Sequence, residues 1–134
     1  MPRPIAIRTV ALGLAVAALA AVPATASGGG DDDDDGERRV AGRCTDGSSA
    51  KLKAKHDDGR LEVEFEVDQN RNGVTWNVRV RRNGKRVVST RATTRAPSGS
   101  FSVERHIADP AGRDRITARA TSPSGEVCTA SLTI

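Results

Sequence analysis

Apolar and polar residues alternate strictly on both sides of Asp58-Gly59, and no other feature of the sequence constrains the fold as strongly. A period of two indicates β-strands with one buried face, and Asp-Gly favours the positive φ angles of a type I′ hairpin turn. Pairing outward from this turn predicts an antiparallel hairpin with one apolar and one charged face. The apolar pairs are Ala54 with Val63, Leu52 with Phe65 and Ala50 with Val67. The charged pairs are Lys55 with Glu62, Lys53 with Glu64 and Lys51 with Glu66.

The same alternation recurs toward the C-terminus, with turn residues at each break. Trp76, Val78 and Val80 share one face of a predicted strand that turns at Asn83-Gly84. The return strand, 86–93, alternates poorly, so its register stays open. The remaining strands are predicted at 101–107, 116–120 and 128–132, with Ala120 paired to Cys128 and Ile116 to Leu132 in the final hairpin.

About seven strands follow from these patterns, and short strands separated by regular turns predict an all-β antiparallel sandwich of two sheets. The segment Val74-Thr75-Trp76-Asn77-Val78-Arg79-Val80, followed by Asn83-Gly84, carries a core tryptophan just before a hairpin. In this it resembles the third strand of a fibronectin type III or immunoglobulin-like domain. The resemblance covers 48–134 and implies the sandwich fold, but it assigns no functional residues.

Two departures from the antibody-type pattern keep other architectures open. Cys44 precedes Trp76 by 32 residues, so a bridge between the cysteines would tie the N-terminal entry segment to the last strand. The chain has no tyrosine for a tyrosine corner. A partly open barrel is the competing architecture. Disorder is a further alternative because bulky apolar residues are few, but the strict alternation and the net charge of only +4 favour a folded domain.

The first 26 residues predict a removable export signal. Arg3 and Arg8 precede an apolar run over 9–22. Ala24-Thr25-Ala26 then has the small residues of a cleavage site. An uncleaved anchor is the alternative, although a spanning helix needs about 20 apolar residues. We therefore expect a secreted bacterial protein that is not inserted in a membrane after cleavage. Its parts are a signal peptide (1–26), a disordered Gly/Asp-rich arm (27–38) and a β-sandwich domain (39–134).

Export also governs the interpretation of the two cysteines, because thiols usually pair in an oxidising compartment. We expect a disulfide between Cys44 and Cys128 that closes most of the mature chain into one loop. A catalytic thiol and an intermolecular bridge are the alternatives.

Charge is distributed unevenly along the chain. No acidic residue occurs between Asp68 and Glu104, whereas that stretch contains eight cations. The cations nearest the Asn83-Gly84 turn predict an anion-binding hairpin: Arg79, Arg81, Arg82, Lys85 and Arg86. A solvated sheet face is the alternative interpretation. Aromatic residues do not interleave with these cations, so base-specific nucleic acid binding is not expected. The aspartate run 31–35 could fold back and screen the hairpin.

No catalytic signature occurs in the sequence. Ser98-Gly99-Ser100 lacks a recognisable His and Asp set, and His56 and His106 alone are too few to ligate zinc. We therefore expect a non-catalytic monomer without cofactor or metal, which acts as an interaction or structural module of the cell envelope or medium. Its expected partner is a protein or an anionic polymer. A small enzyme inhibitor that acts through 95–99 is the remaining function class.

Overall fold

A computed structural model describes residues 36–134 as an all-β structure of nine strands. The predicted signal peptide and residues 27–35 of the predicted arm lie outside the described residues. The strands are β1 (Arg38–Ala41), β2 (Arg43–Cys44), β3 (Ser49–Asp57), β4 (Arg60–Asp68), β5 (Thr75–Arg82), β6 (Lys85–Thr93), β7 (Ser100–Ala108), β8 (Arg115–Thr121) and β9 (Val127–Thr133).

The strands form two antiparallel sheets that pack face to face, which confirms the predicted sandwich. One sheet has four strands in the order β1-β3-β4-β7, and the other has five in the order β2-β9-β8-β5-β6. The inward residues of both sheets build one continuous core. Trp76 on β5 is fully buried and packs against Phe101 on β7, with the two ring centroids 6.1 Å apart. Its indole Nε1 donates a hydrogen bond to Oε1 of Gln69 at 3.1 Å, so the one polar atom of the ring is satisfied.

The hairpin of β3 and β4 has the predicted register at every pair, from Ala50 opposite Val67 to Lys55 opposite Glu62. Asp58 and Gly59 both have positive φ, +48° and +75°, as a type I′ turn requires. Asn83 and Gly84 join β5 to β6 in the same way, with φ of +49° and +82°.

The poor alternation of β6 has a structural cause. Val80 lies opposite Val88, whereas the next residue, Arg81, lies opposite Arg86, so Val87 is an extra residue in a β-bulge. The bulge breaks the period of two near the start of the strand. Sequence alternation alone therefore could not give the register.

The two strands beyond the predicted seven lie at the N-terminal end. Strand β1 begins at Arg38, one residue before the predicted domain boundary, and pairs with β3, whereas β2 pairs with β9 in the other sheet. Gly42 lies between them, where the chain passes from one sheet to the other. A Cβ at this position would lie 2.7 Å from the carbonyl oxygen of Thr129 and 2.9 Å from Cβ of Ala50, so only glycine fits the crossing.

A disulfide joins Cys44 on β2 to Cys128 on β9, as the sequence predicts. The two residues are direct cross-strand partners, and Cys128 is fully buried beside Ala120. The bond therefore ties the N-terminal entry segment to the last strand within one sheet. It does not cross between the sheets.

Candidate anion-binding surface

Four arginines from three strands meet on the outer face of the five-stranded sheet, and we call this group the arginine face. It consists of Arg43 on β2, Arg79 and Arg81 on β5, and Arg119 on β8. The register aligns three of them in one row across the sheet, because Arg43 and Arg119 both lie opposite Thr129, and Arg119 also lies opposite Arg79. Arg81 is two residues farther along β5 and shares this outward face. All four side chains are exposed.

The arginine face surrounds an open groove of about 670 Å³. Small residues form the rest of its lining: Ala41, Thr117, Ala118, Thr129, Ala130 and Ser131. Thr117, Thr129 and Ser131 are cross-strand neighbours of the arginines or of one another, so their hydroxyl groups share the outward face with the guanidinium groups. A ligand in the groove would therefore meet guanidinium and hydroxyl groups.

All charged side chains on the strands of this sheet are cationic. Its five strands contain no acidic residue. Arg79 lies directly opposite Arg119, and Arg81 directly opposite Arg86, although like charges in such positions repel each other. The hydrogen bonds and ion pairs among residues 36–134 leave the guanidinium groups of the arginine face without a protein partner.

The four-stranded sheet distributes its charges differently. Lysines on β3 lie opposite glutamates on β4, and Nζ of Lys53 is 3.8 Å from Glu64 while Nζ of Lys55 is 3.6 Å from Glu62. Lysine–glutamate pairs between β3 and β4 therefore neutralise charge on this outer face, whereas the cations of the arginine face have no such partners.

The five cations predicted from the sequence do not all lie on one surface. Arg79, Arg81 and Arg86 point outward, on the side of the arginine face. Arg82 points the other way: its guanidinium donates to the carbonyl oxygen of Ala108 and lies 3.9 Å from Asp114, and only 17% of the side chain is exposed. Lys85 is exposed and lies opposite Arg82.

Arg43 and Arg119 complete the arginine face, but they lie outside the hairpin that the sequence singled out. Only the pairing of β5 with β8, and of β9 with both β8 and β2, brings them to Arg79. Alternation does predict that Arg119 points outward, because it lies between the inward residues Ala118 and Ala120. That signal could have marked it as a surface cation without indicating its neighbours.

Two further groups of polar residues lie elsewhere. Asp57, Glu62 and His106 come together on the four-stranded sheet, and each offers one atom that could ligate a metal ion. The loop 95–99 is closed by a hydrogen bond from the amide of Gly99 to the carbonyl oxygen of Arg95, at 2.9 Å. Ser98 and Ser100 hydroxyls are 2.7 Å apart in the same turn.

Fold and surface together define a disulfide-bonded β-sandwich with one cationic sheet face. Comparison of the chain with models of known protein families, with curated proteins and with solved structures finds no match. Across residues 36–134, no helix is long and apolar enough to cross a membrane.

Proposed function

We propose that this protein is a secreted, non-catalytic binding module that holds an anionic polymer on its arginine face. The polymer is one recognised by the charge of its backbone, such as an acidic polysaccharide or a phosphate-rich wall polymer. The module would act in the cell envelope or the surrounding medium.

The single sign of the arginine face is the observation that carries the proposal. A solvated face that only prevents aggregation needs charge, but it does not need charge of one sign. The other sheet meets that need with charges of both signs, since lysines of β3 lie opposite glutamates of β4. Keeping Arg79 opposite Arg119 costs stability, and an anion bound between them would offset that cost.

Arginine suits this ligand class, because its planar guanidinium binds phosphate, sulfate or carboxylate groups through two parallel hydrogen bonds. The arginine face contains no aromatic side chain, so stacking of nucleobases is not supported. Nucleic acid would therefore bind only through its backbone, without sequence specificity.

We also propose that the sandwich belongs to the immunoglobulin-like or fibronectin type III fold class. With β3, β4 and β7 as strands A, B and E, and β5, β6, β8 and β9 as C, C′, F and G, the order within each sheet agrees with that class. Trp76 then lies on strand C. The disulfide supports secretion, because such bonds persist in oxidising compartments.

Charge reversal tests the proposal. We expect the double variant Arg79→Glu/Arg119→Glu to lose binding to a sulfated polysaccharide and to inorganic polyphosphate, both probed at low salt. The control Arg95→Glu/Arg105→Glu changes net charge equally at exposed positions outside the five-stranded sheet, and should bind as the wild type does. Equal loss in both variants would mean that only net charge matters, and would contradict a site at the arginine face.

Inhibition of a secreted enzyme by the loop 95–99 is the second candidate. The hydrogen bond from Gly99 to Arg95 favours it, because a loop already fixed in shape loses little entropy on binding. Tight inhibition of a protease that persists at high salt and survives reversal of Arg79 and Arg119 would support this candidate instead.

A further inference from the structure

Three residues with metal-ligating atoms lie together at one end of the outer face of the four-stranded sheet. Nε2 of His106 is 3.0 Å from Oδ2 of Asp57 and 3.3 Å from Oε2 of Glu62. All three ligand atoms lie within 4.8 Å of one another. They are an imidazole nitrogen and two carboxylate oxygens, which is a mixed donor set rather than a group of acidic residues.

The sheet register fixes this group from three strands. Glu62 on the central strand β4 lies directly opposite His106 on β7, and Asp57 is the last residue of β3 on the other side of β4. The backbone of each ligand is therefore held by the hydrogen bonds of the sheet. This arrangement gives the side chains a common position that a flexible loop would not provide.

Two details of the contacts leave the group open to a metal ion. Nζ of Lys55 is 3.6 Å from Oε1 of Glu62, whereas His106 approaches the other oxygen, Oε2. Lys55 can thus keep its ion pair while Oε2 ligates a metal. The side chains of His106 and Asp57 are each 41% exposed, which leaves one side of the group accessible for entry of the ion and for water as a further ligand.

We propose that Asp57, Glu62 and His106 form a binding site for a divalent transition metal ion. Zn²⁺ is the ion that best matches these three ligands. Zinc binds imidazole nitrogen and carboxylate oxygen at about 2.0 to 2.2 Å in a tetrahedral arrangement, so its ligands lie roughly 3.3 to 3.6 Å from each other. The two distances from His106 need only small changes to reach that spacing. Calcium takes six to eight oxygen ligands and does not suit a set that includes imidazole.

The second histidine provides a matched control at the same end of the sandwich. Nδ1 of His56 is 2.8 Å from Oδ2 of Asp109, so it also forms a His and Asp pair. Among the described residues, no second carboxylate completes that pair into a group of three. A pair alone should hold zinc only weakly. Comparing the two histidines therefore distinguishes a three-ligand site at His106 from the weak zinc binding expected of any surface histidine.

The test is calorimetric titration of the mature protein with Zn²⁺ alone, in a buffer that does not bind zinc. We expect one ion per chain, at least about tenfold weaker binding in His106→Gln, and unchanged binding in His56→Gln. Calcium should give no binding. Because a variant can fold poorly, the wild type is also titrated with NMR observation of the imidazole signals, and those of His106 should change before those of His56.

Several results would overturn the site: absence of zinc binding, equal weakening by the two substitutions, or NMR changes that begin at His56. Calcium binding that His106→Gln leaves unchanged would also contradict the proposed ligands. Because the arginine face lies on the other sheet, loss of polymer binding and loss of zinc binding are independent outcomes.

Discussion

Asn83 and Asp58 occupy the same position in two type I′ turns, yet their side chains have different roles. The amide of Asn83 donates from Nδ2 to Oδ1 of the buried Asp114 at 2.9 Å, and its Oδ1 accepts from the amide of Arg115 at 2.8 Å. Asp58 is exposed, and no such bridge extends from it among the described residues. Asn83 thus fastens the β5–β6 hairpin to the start of β8, whereas Asp58 only shapes its own turn.

Substitution by glycine separates these two roles, because glycine adopts positive φ without strain. We expect Asn83→Gly to lower the free energy of unfolding by about 1 to 3 kcal/mol, since the buried Asp114 loses its amide partner. Asp58→Gly should change it by only a few tenths of a kcal/mol. Denaturant unfolding of both variants measures the difference. Equal effects would mean that the side-chain bridges of Asn83 contribute nothing to stability.

At the scale of elements, local pairing is predictable and distant pairing is not. The β3–β4 hairpin can be derived because its turn, its apolar pairs and its charge pairs lie within one short segment. The pairing of β4 with β7 and of β5 with β8 joins residues far apart in the sequence, and many orders of these strands would satisfy the same alternation. The bulge at Val87 is a second limit, because an extra residue removes the periodicity on which the inference depends.

The arginine face is likewise predictable only in part from the sequence. Alternation identifies Arg79 and Arg81 as outward cations on β5, and these two do lie on the arginine face. Arg82 is adjacent in sequence, but it points to the opposite side and binds Ala108. Arg43 and Arg119 join the face only through the sheet order, and the group of Asp57, Glu62 and His106 likewise depends on the pairing of β4 with β7.

The charge row across the four-stranded sheet allows a test at this scale. Arg39, Lys53, Glu64 and Glu104 are successive cross-strand partners, so two cations are followed by two anions. Exchanging the central pair by Lys53→Glu/Glu64→Lys would make the signs alternate, and we expect a gain in stability of a few tenths to about 1 kcal/mol. Lys53→Glu alone should be destabilising, because it places three anions side by side.

Unfolding of the exchange variant and of both single variants in denaturant measures this coupling as a double-mutant cycle. Additive effects of the two substitutions would show that the cross-strand charges do not interact. The inference that Lys53 and Glu64 attract each other across the strands would then be wrong.

At the scale of the whole molecule, the disulfide links two distant parts of the described chain. It joins residues 84 positions apart, so it closes almost the entire described chain into one loop. In the chain-entropy model, a loop of this length contributes about 4 to 5 kcal/mol to stability. A small domain with a core made mainly of valine and alanine has little stability to spare.

We therefore expect reduction of Cys44–Cys128 to lower the denaturation midpoint strongly, and Cys44→Ala/Cys128→Ala to be similarly unstable without reductant. Thermal and denaturant unfolding with and without reductant checks this, with counts of free thiols to verify the redox state. An unchanged midpoint after complete reduction would mean that the non-covalent core stabilises the sandwich by itself.

The central claim is that the arginine face binds an anionic polymer, and a salt titration of that binding tests it most directly. The association constant of the mature protein with polyphosphate is measured across a range of salt concentrations. Four arginine contacts predict a slope of log K against log salt of about −3, by analogy with single-stranded polyanions. Arg79→Glu/Arg119→Glu should reduce that slope by roughly two units or abolish binding.

The same titration on a chain without residues 27–35 shows whether the predicted acidic arm competes for the arginine face, in which case binding strengthens. The account predicts a steep slope for the wild type, a steep slope for Arg95→Glu/Arg105→Glu, and a shallow slope or no binding when Arg79 and Arg119 are reversed. Absence of binding at low salt with and without residues 27–35, or equal slopes in both double variants, would contradict it.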